Sequence, residues 1–510
     1  MADCVVISSE SEAAWRAALA HDPFDAAALH GLGCDLLRRK RPVVAVAMLS
    51  AAATARADAA ILTNLGAALI AAGLADEAEQ RLRHALALEP EFYHALFNLG
   101  GLLLSRDPAE AMTLLRRALL VAPEGGEAVL ALVSGLINQG NAAYSADHMQ
   151  AAERWYHEAI GFKPDFAGGY TNLGNALTGQ LRLPEALAAY RSALDLDPAN
   201  DNAGFAYSLC LLLSGDDQEG WRHYERRRGV PALQPNYARR PALPQWQPGM
   251  SLAGQRVLLT AEQGSGDLIQ YARFALVLAR SAAAVVLEMP WPLAAVFQGL
   301  PGVERIIGLD EAATGCDIAC PLLSLPLLLG SDAGMPPPYL VAPADRVARW
   351  SAWLDRSSPG SRIGLVCSGD PRHPYDRRRS IALAKMAPLL AIPGASIILV
   401  QTEIREADRP IFHTSANLRC PAAALTDYAD TAALLSGLDR LITVDTSLAH
   451  LAGAMGLPVW TLLPYCPDYR WKLGRDDTPW YPSMRLYRQE RPGDWEAVIQ
   501  RIQDDLMRRA

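Results

Sequence analysis

Three stretches of the chain carry residue types suited to holding a phosphate and moving a proton. The first is Asp445-Thr446-Ser447, with His450 following. It separates a short apolar run of strand type, Leu441–Val444, from an apolar-periodic helical segment. Gly456 and Pro458 end that segment before a second buried strand over Val459–Leu463. A helix start offers free N–H groups and the positive end of the helix dipole. With the hydroxyls of Thr446 and Ser447 beside them, these groups suit a phosphate. The same residues also serve as ordinary N-caps, and this stretch alone leaves both readings open. His450 lies four residues after Thr446 on the same helical face, either facing a ligand or holding the loop.

The second stretch is Glu262-Gln263-Gly264-Ser265-Gly266-Asp267, after a strand-type run that begins at Arg256. Gly264 and Gly266 permit a tight turn and close backbone approach. Asp267 opens the next helix, either as a base for an acceptor hydroxyl or as a capping residue. The spacing is not the full Gly-x-Gly-x-x-Gly pattern, so a dinucleotide is not indicated. The third stretch leaves a strand at Ser368-Gly369 and reaches Arg377-Arg378-Arg379 before the next helix. Arginine forks match a diphosphate, and a strand-to-helix junction favours anion binding over a merely solvated basic loop. A tail over residues 468–489 is rich in Trp, Tyr and Arg. It reads as a wall or a lock between lobes, with Trp471 and Trp480 as packing residues. Asp476-Asp477 lacks the further ligands a metal site needs, so no metal is expected.

These stretches need strands alternating with helices to position them. Expected strands begin at Arg256, Ala284, Val303, Asp317, Arg362, Ser396, Leu441 and Val459. Expected helices cover Asp267–Ser281, Pro292–Leu300, Asp345–Arg356, Leu383–Ala391, Thr431–Leu438 and Trp495–Arg509. The alternation predicts parallel sheets in two series, over 251–345 and 346–510, with a turn at Pro359-Gly360-Ser361 and a ligand cleft between two lobes. A proline-rich linker over 230–250, anchored by Tyr237 and Trp246, precedes them.

The first half has a different period. Asn64-Leu65-Gly66 and Asn98-Leu99-Gly100 lie 34 residues apart, with His30-Gly31-Leu32-Gly33 one period earlier and Asn172-Leu173-Gly174 further on. Pro90, Pro123, Pro164 and Pro198 close successive units, and Glu77-Ala78, Glu110-Ala111 and Glu185-Ala186 recur between the marks. A 34-residue period of helix–turn–helix units with small residues at fixed places is the tetratricopeptide (TPR) pattern. It predicts a helical solenoid over 1–229, with an insertion near residues 138–148 and a final unit over 202–228 that caps onto the next domain. Such arrays bind proteins or peptides on a concave face. The alternative is a spacer or dimerisation element, and a homodimer is compatible with either.

The net charge of −8 in 510 residues argues against nucleic acid as main partner. No apolar run has the length and continuity of a transmembrane span, and Met1-Ala2-Asp3-Cys4 does not open a signal peptide. A cytoplasmic chain with reduced, scattered cysteines is therefore expected.

Together, Glu262 to Asp267, the Ser368-Gly369 to Arg379-Ser380 loop, Asp430-Thr431-Ala432, Val444 to Ala454 and Asp477 to Pro482 resemble bacterial TPR glycosyltransferases. The catalytic half is similar to heptosyltransferase-like (family 9) transferases and, more distantly, to O-GlcNAc transferase. The resemblance covers about residues 240–510. It implies a two-lobed GT-B fold, inverting transfer and no essential metal or cofactor, with a nucleotide sugar as donor substrate. It makes Asp267 the acceptor base and Arg379 the group on the donor diphosphate. Asp445, Thr446 and His450 match the donor motif, with Ser368, Gly369, Arg378 and Ser447 beside them. Glu262, Gln263, Gly264 and Gly266 then form the acceptor-side loop. Cys367 replaces a usual Trp and Asp370 a usual Asn, departures that bear on donor choice and on activity. The expected activity is transfer of a sugar to a Ser or Thr hydroxyl of a protein held by the array. Some bacterial members modify flagellin, which makes flagellin a candidate acceptor. The rival readings are a TPR scaffold with an inactive transferase half, and a transferase acting on free or lipid-linked glycans.

Overall fold

The structure is a computed structural model describing residues 12–236, 243–334, 336–358 and 360–508. Met1 to Cys4, the Tyr237 anchor, the Pro359 position and Arg509 lie outside the described residues. Two compact units emerge, Met1–Gln180 with Asp195–Pro198, and Leu181–Leu194 with Ala199–Ala510.

The first unit is built of antiparallel helix pairs. Ala26–Arg38 packs on Pro42–Ala55, Ala59–Ala71 on Ala75–Leu88, Tyr93–Leu103 on Pro108–Val121, and Gly126–Ser145 on Met149–Phe162. The repeated glycines explain the closeness of each pair. A Cβ on Gly33 would meet Leu49 Cγ at 2.6 Å, one on Gly66 would meet Leu82 Cγ at 2.7 Å, and one on Gly100 would meet Leu115 Cγ at 2.8 Å. In the first three pairs one helix thus supplies a hole and the next a leucine, in the fourth Gly140 faces Tyr156, and Ala45, Ala78, Ala111 and Ala152 are fully buried at equivalent places. His30 and Asn64 occupy equivalent marks in successive units and touch, Nε2 to Nδ2, at 2.7 Å. The insertion lengthens one helix: Gly126–Ser145 has 20 residues, with Tyr156 donating to Asn141 Oδ1 at 2.8 Å beside the extension.

In the second unit, the strands among the described residues form two parallel sheets. Arg256–Thr260 (β1), Ala284–Glu288 (β2), Val303–Ile307 (β3) and Ile318–Pro321 (β4) take the order β3-β2-β1-β4. Ser361–Val366 (β5), Ala395–Leu399 (β6), Leu418–Arg419 (β7), Arg440–Val444 (β8), Val459–Leu463 (β9) and Met484–Arg488 (β10) take the order β10-β9-β8-β5-β6-β7. The linker adds a bridge to the first sheet, Trp246 N–H donating to Ala319 O at 2.8 Å. Both β1 and β8 are interior to their sheets, and the loops leaving their carboxyl ends carry the residues singled out above.

The expected single helix over Asp267–Ser281 is broken into Ser265–Tyr271, a 3-10 turn over Ala272–Phe274, and Ala275–Leu278. The cause is Arg273, buried and donating to Trp480 O at 3.0 Å and Gly334 O at 3.3 Å, which a regular amphipathic helix would have turned to solvent. The Leu383–Ala391 helix is likewise a 3-10 turn, Leu383–Met386, followed by one helical turn, Ala387–Leu390. The tail, expected as a wall or a lock between lobes, also contributes a strand, β10.

The helices Asp201–Ser214 and Asp217–Tyr224 belong to this unit. Trp221 meets Tyr224, Tyr271 and Tyr469 edge-on at 5.2, 5.9 and 5.9 Å. Fully buried Arg227 donates to both Glu262 oxygens at 2.9 and 3.1 Å and to Ser324 Oγ at 2.8 Å. Among the described residues no helix is long and apolar enough to cross a membrane, and none of the described cysteines forms a disulfide.

Candidate functional site

The loop after β1 turns at Gly264 into the helix Ser265–Tyr271. Asp267, in its first turn, reaches back to accept the Gly264 N–H at 3.0 Å. This is a capping arrangement, and it occupies Oδ2. Oδ1 accepts from Arg470, a residue of the tail. Burial raises the Asp267 carboxyl above its ordinary range, while the Arg470 guanidinium works against that rise.

The loop after β8 turns at Thr446 into the helix Ser447–Ala454. Thr446 is the N-cap residue, but its hydroxyl makes no capping bond. It lies 3.4 Å from Thr443 Oγ1 instead. Ser447 Oγ is hydrogen-bonded to Tyr428 Oη at 2.9 Å. The N–H groups of this helix start are therefore not covered by the cap side chain that sequence alone would assign them.

The two helix starts meet through Gly266. A Cβ there would come within 2.9 Å of His450 Cδ2 and 3.5 Å of Ser447 Cα. His450 cannot yield: it stacks on Trp471 with ring centroids 5.2 Å apart, and its Nδ1 is bonded to Tyr481 Oη at 3.1 Å. Burial, reinforced by Arg470 and Arg379, pushes its pKa well down, so the imidazole is neutral at pH 7. Gly266→Ala is expected to cost about 1–3 kcal/mol through overpacking. A lowered urea midpoint of the full chain, followed by Trp fluorescence, checks this.

The third stretch joins from β5. Ser368 Oγ accepts from Gln401 Nε2 at 3.0 Å, and Gly369 N–H donates to Ser380 Oγ at 3.1 Å. Arg379 crosses to the helix start, its Nη1 donating to Asp445 O at 3.0 Å. Gly369 makes room for the guanidinium in this position, since a Cβ would sit 2.8 Å from Arg379 Nη2. Arg379 Nε is buried and finds no hydrogen-bond partner among the described residues. Arg378 is turned elsewhere, over the Tyr375 ring at 5.2 Å, and Arg377 is exposed.

The structure thus brings together Gly264, Gly266, Asp267, Gly369, Arg379, Asp445, Thr446, Ser447 and His450, with Ser368 supporting the loop. It engages Glu262 with Arg227, and Gln263 with Tyr224 Oη at 3.2 Å. Asp430 is a fastening group, accepting from Arg349 and Thr426. Cys367 hydrogen-bonds to Gln401 Oε1 through both N and Sγ, and burial pushes its thiol up to about 12. Asp370 is exposed and held by Arg372, down to about 2.

Sequence reasoning passed over Arg470 and Asp468, which enter from the tail. It also passed over Arg405, which donates to Gly369 O at 3.0 Å and Asp376 Oδ2 at 2.6 Å and so braces the arginine loop. The abundance of Arg in the tail was visible, but which one turns inward depends on the Asp468 cap.

Asp445 is pushed up to about 6 by burial and by the charge of Asp468, against Arg379 and Arg470. The folded state therefore binds this proton more tightly than the unfolded chain. The stability it contributes is fully present below about pH 4 and is lost as pH rises through about 6. Asp445→Asn should remove about 2–3 kcal/mol of that decline. Urea titrations from pH 4.5 to 7.5 should show a flatter stability profile than the parent.

No family model matches the chain. It is 27% identical over 432 residues to Protein FlbA of Caulobacter vibrioides, covering 77% of this chain and 69% of that one. It is 31% identical over 152 residues to Protein O-mannosyl-transferase Tmtc3 of Drosophila melanogaster, which is 29% of this chain and 15% of the fly protein. Among solved structures, YrrB, a TPR protein with an unusual peptide-binding site, aligns at 20% identity and a TM-score of 0.33, over 39% of this chain and all of YrrB. MamA aligns at 21% identity and a TM-score of 0.26, over 32% of this chain and 91% of MamA. The chain is similar to FlbA and combines an array of paired helices with a parallel-sheet α/β region.

Proposed function

We propose that this chain is an inverting, metal-independent glycosyltransferase of the GT-B type, moving a sugar from a nucleotide-sugar donor to a Ser or Thr hydroxyl of a protein. In this reading residues 1–229 hold the acceptor, 230–250 link, 251–345 form the acceptor-side lobe and 346–510 the donor-side lobe. The observation that carries it is the meeting of two strand-to-helix junctions at Gly266 and His450. One bears a carboxylate at its first turn, and the other bears an N-terminus without a side-chain cap and a fixed guanidinium. That pairing supports reading Asp267 as a base beside a diphosphate site, an arrangement suited to displacement of a nucleoside diphosphate by a hydroxyl.

Asp267 takes the hydroxyl proton as the oxygen attacks the anomeric carbon. Arg379 and the N–H groups at Ser447 stabilise the negative charge gathering on the departing diphosphate. His450, neutral and clamped between Trp471 and Tyr481, sets the spacing of the two helix starts. The likeness to the fly protein, whose name describes a protein O-mannosyl-transferase, supports a transferase reading over a short segment. Flagellin is the acceptor that the family resemblance suggests first.

A second reading, a scaffold with an inactive transferase half, is favoured by the ion pair that occupies Asp267. Incubating the purified chain with a panel of nucleotide sugars separates the two. Donor binding and release of the nucleoside diphosphate are expected; neither binding nor turnover with any donor would leave the scaffold.

A further inference from the structure

Arg470 stands at the centre of the charged groups around the two helix starts. Its side chain is 11% exposed and that of its partner Asp267 14%. Its Nη2 donates to Asp267 Oδ1 and its Nη1 pairs with Asp468 Oδ1 at 2.7 Å, while its Nε is buried with no hydrogen-bond partner among the described residues. The guanidinium lies over the Tyr469 ring at 4.7 Å. Its backbone is fixed. Asp468 accepts the Arg470 N–H at 3.0 Å, and Trp480 Nε1 donates to Arg470 O at 3.0 Å. Two residues on, Lys472 donates to Leu212 O at 2.9 Å. Any change of partner is therefore a swing of the side chain alone.

A bound diphosphate would compete with Asp267 for the same guanidinium. Arg470 is the cation that acts on Asp267, Arg379 and Arg470 act on Asp445, and Asp468 adds negative charge to both carboxylates. A diphosphate entering beside Thr446 would add negative charge to a site that already holds more carboxylates than guanidiniums. With Arg470 committed to Asp267, the base has one oxygen on Gly264 N–H and the other on a guanidinium, which lowers its basicity and leaves a hydroxyl only the remaining lone pairs.

We propose that Arg470 exchanges Asp267 for the donor diphosphate, so that donor binding frees the base and the acceptor is activated only when a donor is loaded. This rests on the glycosyltransferase reading and goes beyond it, making Arg470 both a donor-binding residue and the restraint on Asp267. The exchange keeps the guanidinium paired while it releases Asp267. The guanidinium passes from one carboxylate oxygen to phosphate oxygens, for which its fork is suited, and keeps Asp468 as its second partner.

The exchange has a signature that a structural ion pair lacks. Asp267 and the diphosphate compete for one guanidinium, so removing the carboxylate must strengthen diphosphate binding. The test is titration calorimetry of the full chain with UDP, GDP, CDP, ADP and dTDP, using the parent, Asp267→Asn, Arg470→Gln and the double variant. For whichever diphosphate binds, Asp267→Asn is expected to tighten binding by about fivefold or more and Arg470→Gln to weaken it about tenfold. The double variant should match Arg470→Gln alone, because the carboxylate acts only through the arginine. If the parent binds a diphosphate and Asp267→Asn leaves the affinity unchanged or weaker, the exchange is overturned and the transferase reading stands. If no diphosphate binds the parent, both fall. Asp267→Asn is close to isosteric and leaves Asp468 on the arginine, so tightened binding also reports an intact fold.

Discussion

Asp267→Asn is expected to lower kcat for sugar transfer by about 10²–10⁴, the range for loss of a general base, without weakening donor binding. Asparagine fills the same space and can still accept the Gly264 N–H through its carbonyl oxygen, so the helix start survives. What it cannot do is take a proton. The carboxylate is suited to that task because burial raises its pKa and makes it a stronger base than an exposed aspartate. Rates under donor saturation, compared with donor affinity measured separately, check the split. An unchanged kcat would remove Asp267 from the chemistry and leave it a capping residue.

Arg379→Ala is expected to lower kcat/KM by about 10²–10³, the cost of losing one preorganised donor to developing negative charge. The neighbouring arginines sharpen this expectation. Arg379 alone of the three is tied to Asp445 O, threaded past Gly369 and left with a buried Nε free of hydrogen bonds among the described residues. Arg377→Ala and Arg378→Ala should therefore change kcat/KM by less than about threefold, as surface charges do. Equal losses at all three positions would mean that the loop acts by its net charge and not by a fixed guanidinium. Arg379→Lys tests the geometry further, because an ammonium keeps the charge but not the planar fork.

Much of this site was legible because it lies at strand-to-helix junctions. Buried parallel strands such as β8 and β9 are short apolar runs, and the glycines, hydroxyls and Asp267 that follow them are concentrated where the chain turns. The phase of the repeats was legible for a similar reason. A glycine that must receive a leucine, as Gly66 receives Leu82, cannot be replaced without parting the helices. What could not be read is pairing between distant segments. Glu262 stands beside the glycine turn, yet its partner Arg227 comes from the end of the helical repeats. Arg470 holds Asp267 across 203 residues. The run Met484–Arg488 hid a strand because Arg485 and Arg488 lie half-buried in it and break the apolar pattern. Arg273 did the reverse, looking like the polar face of a helix while being buried against Trp480.

The proposed function meets its most direct test in intact-mass spectrometry of proteins from cells with and without this chain, flagellin first among them. Protein glycosylation predicts an acceptor whose mass is greater, by one sugar residue or a multiple of it, only when the chain is present. That increase should vanish with Asp267→Asn and be restored by the purified parent chain plus a nucleotide sugar. Identical protein masses in the two cell types, together with no transfer by the purified chain, would contradict it.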